Sequence, residues 1–163
     1  MALTKAKKIE LIGKLEKIVS DTPNLVFVTF KGLNVFDTSL MRKALRGAGV
    51  GYMVVKKTLL KRVLDKASFE GDLPALPGEV AIAYGIDPVA PAREVAQFTK
   101  KYSDMLSMIG GVFEKKYMNK AEIATIASIP SLKVLYGQFA NVINSPIQGL
   151  VVALDQIANK KTN

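Results

Sequence analysis

Leu40 to Arg62 reads LMRKALRGAGVGYMVVKKTLLKR, and its changes of period set the fold. Up to Ala48 the apolar residues recur at helical spacing. Leu40, Met41, Ala44, Leu45 and Ala48 cover one arc of a helix starting near Val35, and Arg42, Lys43 and Arg46 cover the opposite side. Gly47 and Gly49 end that helix. Val50 to Lys56 then reads as a strand, and Lys57-Thr58 opens a second helix, with Thr58 as its expected N-cap. Leu60, Val63, Leu64 and Ala67 form its inward stripe. Lys56, Lys57, Lys61 and Arg62 surround its start, where free backbone N–H groups favour anions. A helix with one apolar and one cationic side docks on a sheet while presenting charge. The unit is therefore read as a grip on the phosphates of a nucleic acid.

Upstream, residues 3–20 form an amphipathic helix with Leu11, Ile12, Leu15, Ile18 and Val19 on one arc. Lys5, Lys7 and Lys8 crowd its first turn, where cations oppose the helix dipole, an arrangement that an anionic partner would relieve. Asp21-Thr22-Pro23-Asn24 is a turn. Leu25 to Phe30, LVFVTF, is a buried strand, being short, continuous and rich in β-branched and aromatic residues. Lys31-Gly32 ends it, and Asn34 caps the next helix with Asp37 at its third position.

Downstream, Ser68 to Gly78 is loop and Val80 to Tyr84 a third strand. Asp87-Pro88 predicts an N-cap followed by proline at the first helical position, for a helix to about Lys101 that buries Val89, Ala92, Val95, Ala96 and Phe98. Met105 to Phe113 is a further strand, in which Gly110-Gly111 signals a bulge or a close backbone approach. Lys115 to Met118 pairs as a last short strand. Asn119-Lys120-Ala121-Glu122 has the form of a capping box for a helix ending before Pro130.

From Ser131 the chain changes character. Leu132, Leu135, Tyr136, Phe139, Ile143, Ile147, Leu150, Leu154 and Ile157 share one helical face; Lys133, Asn141, Asn144, Gln148 and Asp155 take the other. The stripe keeps phase across Pro146, which predicts one long, kinked helix of roughly 40 Å. The domain before it should measure only about 26–30 Å across. Part of the stripe must then protrude, and a protruding apolar stripe marks a protein partner. Its polar side is rich in amides rather than lysines, which argues against a membrane surface.

Composition narrows the function. A hydrophobic fraction of 49% over 163 residues is ample for a core. There is neither Cys nor His, so there is no disulfide framework and neither the commonest general base nor the commonest metal ligand. Asp72, Glu79 and Asp87 are the nearest approach to a carboxylate cluster, and loop capping accounts for them. Neither a catalytic site, a metal site nor a cofactor is expected, and the chain reads as cytoplasmic with no membrane segment. The net charge of +9 is unevenly placed. Residues 1–66 hold 14 of the 23 Lys and Arg but 5 of the 14 Asp and Glu, so the whole excess lies there. A segregated excess points to a polyanion.

Over nearly its whole length the chain resembles the bacterial large-subunit ribosomal protein L-ten family, the stalk-base proteins. The resemblance is carried by Lys31-Gly32-Leu33, by MRKALRGAGVGYMVVKKTLLKR at Met41–Arg62, by DPVAPAREVAQF at Asp87–Phe98, by GGVFEKKYM at Gly110–Met118 and by IASIPS at Ile126–Ser131. It implies an α/β class: a two-layer, ferredoxin-like α/β plait at residues 1–130 that binds the stalk base of 23S rRNA beside ribosomal protein L-eleven. It also implies a C-terminal helix at residues 131–163 that carries dimers of the acidic stalk protein L-seven/L-twelve, through which translational GTPases are recruited. It further admits repression of its own operon through the mRNA leader. The residues expected on RNA are Lys7, Lys8, Lys31, Arg42, Lys43, Arg46, Lys56, Lys57, Thr58, Lys61 and Arg62. Those expected on the stalk protein are Leu135, Tyr136, Phe139 and Ile143 in one arm and Ile147, Leu150, Leu154 and Ile157 in the next, one dimer to each.

Two positions depart from the family pattern. The family's KNTL is here Lys56-Lys57-Thr58-Leu59, a point charge in place of a directional amide, so phosphate binding survives while any base-edge contact is lost. Glu79-Val80 stands where the family often has Pro-Thr. A ribosome-assembly factor of the same fold, binding the same RNA without stalk dimers, is the alternative. The long in-phase tail speaks against it.

Overall fold

The computed structural model describes residues 5–22, 24–67, 69–103 and 105–161, with the backbone alone for residues 5, 6 and 161. The Lys5 side chain, Pro23 and Ser68 thus lie outside the described residues. The elements run α1 (Lys5–Asp21), β1 (Leu25–Phe30), α2 (Val35–Gly47), β2 (Val50–Val55), α3 (Lys57–Ala67), β3 (Glu79–Gly85), α4 (Ala90–Lys101), β4 (Leu106–Phe113), β5 (Lys116–Asn119), α5 (Lys120–Ala127) and α6 (Leu132–Lys161). The chain divides into two compact units, Met1–Ile129 and Pro130–Asn163.

In the first unit the five strands form one sheet of order β2-β3-β1-β4-β5, every pair antiparallel. β1–α2–β2 straddles β3, and β3–α4–β4 straddles β1. Two interlocked β-α-β crossovers of this kind make the expected plait. α3 and the loop after it join β2 to β3.

Both faces of the sheet are covered. On one face Leu25, Phe27, Val55, Val80, Ile82 and Val112 pack with Leu15 of α1 and with Leu59, Leu60, Val63 and Leu64 of α3. On the other, Val26, Val28, Val50, Ala83, Leu106 and Met108 pack with Met41 and Leu45 of α2, Val95 of α4 and Ile123 of α5. The unit therefore has a third layer, formed by α1 and α3, beyond the two of a simple plait. The two cores explain the start of the run, LVFV, whose successive side chains enter opposite faces and are all apolar and buried.

Close approach shapes β4. Its register to β1 shifts between Phe27 and Val28, so that Ile109 is an extra residue just before the glycine pair. A Cβ on Gly110 would lie 2.5 Å from the Met118 carbonyl oxygen. The bulge and the tight passage thus occur side by side. Glu114 and Lys115, with φ of 49° and 66°, turn the chain into β5, and the buried Asn24 side chain accepts the Glu114 N–H at 2.9 Å. Both central residues of such a two-residue hairpin need positive φ.

Several helix starts differ from the sequence reading. Thr58 is no N-cap: α3 opens at Lys57, and the Lys56 carbonyl accepts from Leu59 and Leu60 at 3.0 Å each. α4 opens at Ala90, with Pro91 second, while the Asp87 carboxylate accepts the Val89 N–H at 3.0 Å in a turn before the helix. The Asx turn competes successfully with a cap there. Asn34 sits at the N-cap of α2, but its side chain makes no capping bond. At α5, Glu122 accepts the Asn119 N–H at 2.8 Å, the backward half of the capping box.

The second unit is α6, 30 residues that continue through Pro146, or about 45 Å at 1.5 Å per residue. Pro146 has no N–H for the Val142 carbonyl. Every side chain from Leu132 to Lys160 is exposed.

Candidate nucleic-acid interface

β2 is an edge strand with α2 on one layer and α3 on the other. The cations of Leu40–Arg62 therefore flank one sheet edge from both sides instead of forming a single cluster. α2 sits at the rim, so it buries only Met41 and Leu45; Leu40, Ala44 and Ala48 of the expected inward arc are exposed, as are Val35 and Phe36. Helical phase locates an apolar arc but cannot say that a helix at a sheet edge has less to cover it.

The first cluster lies where β2 ends and α3 begins. Lys56, Lys57 and Thr58 line a cleft of about 500 Å³ with Leu11, Val54 and the Gly78-Glu79 turn. α1 and α3 run in the same direction, since Leu11 faces the start of α3 while Glu16 pairs with Lys66 at 2.7 Å. Their N-termini accordingly lie at one end, and Lys7 and Lys8, one turn before Leu11, belong to it. Lys31 stands at the end of β1, in a neighbouring hollow that shares Gly78 and Glu79 with the cleft; its N–H donates to the Met105 carbonyl at 2.8 Å.

The second cluster lies near the beginning of β2. Arg42 and Arg46, one turn apart on α2, line a notch of about 120 Å³ with Gly51, Tyr52 and Tyr84. The Arg42 guanidinium carbon is 5.8 Å from the centre of the Tyr52 ring, within cation–π range. Burial pushes the Tyr52 hydroxyl up to about 12, against the opposing pull of Arg42. Lys43, Lys61 and Arg62 are exposed but line neither hollow.

All the expected cations are exposed, and none makes an ion pair with another described residue. Unpaired cations on two sides of an edge strand give a surface of the kind that suits phosphates approaching from more than one direction. Charge and helical phase point to these residues. They do not point to Tyr52 and Tyr84, whose value comes from lying beside the arginines across β2 and β3; two tyrosines close to glycines were the only trace in the sequence.

The model of the family described as "Ribosomal protein L10" matches residues 3–100. The chain belongs to that family. It is 33% identical over 156 residues to the large ribosomal subunit protein uL10 of Shouchella clausii, covering 95% of this chain and 93% of the relative. To the protein of the same description from Mycoplasma genitalium it is 28% identical over 162 residues, covering 99% and 100%. As a member of this family the chain is a ribosomal protein of the large subunit and serves translation; family members are structural components of the ribosome. The matched residues 3–100 include every cation of both clusters. No described helix is long and apolar enough to cross a membrane.

Proposed function

We propose that this protein anchors acidic stalk-protein dimers to the stalk base of 23S rRNA, in the cytoplasmic large subunit. It holds RNA through the two cationic clusters and the dimers through α6. Translational GTPases are then recruited by the dimers and not by this chain, which carries out no chemistry itself. Ribosomal protein L-eleven is its neighbour on the same RNA, and the same cationic surface would serve an mRNA leader.

The observation that carries this reading is the bare stripe of α6. Leu135, Tyr136, Phe139, Ile143, Ile147, Leu150, Leu154 and Ile157 are each between 37% and 69% exposed, on a helix whose apolar phase persists for its full length. Eight large apolar side chains facing water are costly unless a partner covers them. The two arms, before and after Pro146, each run about a dozen residues and suit one dimer apiece.

The test is capture of a partner by the purified chain from an extract of its own cells. The reading expects a small acidic protein, recovered as dimers, at two dimers per chain. Recovery of no such protein would contradict it.

A further inference from the structure

We propose that the notch between α2 and the start of β2 holds one unpaired base of an RNA strand, so that the RNA contact is part stacking and part charge. This rests on the RNA reading above and adds to it the kind of RNA recognised: a strand with a base turned out of its helix.

Four features converge on the notch. Its volume, about 120 Å³, admits one planar ring and little more. One wall is flat: the partly exposed Tyr52 phenol with the Arg42 guanidinium held against it, while Tyr84, which pairs with Gly51 and therefore lies on the opposite face of the sheet, closes the rim of the notch. Aromatic rings and guanidinium planes are the surfaces on which proteins stack extruded bases. Arg42 and Arg46 are like charges at i, i+4 with no carboxylate partner among the described residues, an arrangement unfavourable until an anion arrives. A phosphate flanking the base would lie between them. Finally, a Cβ on Gly51 would come within 2.4 Å of the Tyr84 ring, so glycine there lets that phenol reach over the edge strand from the opposite face and shape the rim of the notch. The strand is an edge, so nothing beyond it closes the notch.

A purely ionic site would need no flat wall. An acidic peptide would meet the arginines but has no ring to lie on the Arg42–Tyr52 pair.

The experiment uses the full chain, single-stranded oligo(A) RNA of about eight nucleotides, and an abasic ribose-phosphate oligomer of equal length and charge. Binding is followed by tyrosine emission, which is readable because the chain has five Tyr and no Trp. The proposal expects oligo(A) to bind about tenfold more tightly than the abasic oligomer and to quench emission. Arg42→Lys, at an exposed site, and Tyr52→Leu should each abolish that preference. Tyr52→Phe should retain the preference. Equal binding of the two oligomers, or an undiminished preference in both Arg42→Lys and Tyr52→Leu, would overturn the notch and leave the phosphate reading standing. Failure of both oligomers to bind would overturn the RNA reading as well. Free AMP binding as tightly as oligo(A) would make the notch a mononucleotide site and likewise overturn the proposal.

Discussion

Gly111 passes the Leu25 carbonyl so closely that a Cβ on it would lie 2.4 Å from that oxygen, with the Ile123 side chain 2.9 Å away. Gly51 meets an equally short approach, but there the obstacle is the far end of the Tyr84 side chain. The two contacts have different consequences. A carbonyl inside the β1–β4 ladder cannot retreat without losing strand pairing, whereas a phenol at the edge can swing outward. Gly111→Ala should cost about 3 kcal/mol and Gly51→Ala about 1 kcal/mol, read as shifts in the urea midpoint. Equal costs would mean that the Tyr84 ring is held as rigidly as backbone.

Arg42 and Arg46 should each neutralise one phosphate. Replacing both by Gln should lower the slope of log affinity against log salt, measured on a stalk-base rRNA fragment, by about 1.4 to 1.8. Both are exposed and unpaired among the described residues, so the midpoint of unfolding should hardly move. An unchanged slope would remove them from the interface.

Much of this was legible from the residues alone. The strands of the plait announce themselves as LVFVTF and VGYMVV bounded by turn signals, and α6 by a stripe too long for a small core. The third layer was not legible, because periodicity shows that α1 and α3 each have a buried side without saying which face of the sheet receives it. For the same reason one cationic stretch in the sequence became two clusters. Arg42 and Lys57 are close in the chain but belong to helices on opposite layers. The start of α4 was misplaced because Asp87 uses its carboxylate in a turn to Val89 before the helix begins.

Tyr52 gives a handle on alkaline stability. Burial raises its pKa from 10.0 to about 12. Between those values the unfolded chain has lost the phenolic proton and the folded chain has kept it. The folded state binds more protons there, so stability falls as pH rises through that window and is fully present below pH 10. Tyr117 is shifted upward as well, first by burial and then by Asp65. Tyr52→Phe should therefore flatten the alkaline loss without abolishing it, in urea midpoints measured across the window. A profile identical to the parent's would show that Tyr52 ionises equally in both states.

Lys57 is one of the two positions at which the sequence departs from the pattern of the family it resembles. Lys57→Asn, which restores the amide, should remove about one phosphate's worth of salt slope, near 0.7 to 0.9, because Lys57 is exposed beside the cleft at the start of α3. Binding isotherms of the same rRNA fragment at several salt concentrations would read it. No change in slope would place the Lys57 ammonium away from RNA.

The central claim is that RNA is held by one unit and the acidic dimers by the other. Truncation after Ser145 removes Ile147, Leu150, Leu154 and Ile157 and leaves both cationic clusters untouched. The most direct measurement is the mass of the complex that this truncated chain forms with the acidic protein, together with its affinity for the rRNA fragment. The account predicts half the bound acidic protein at unchanged RNA affinity. Loss of both, or of neither, would contradict it.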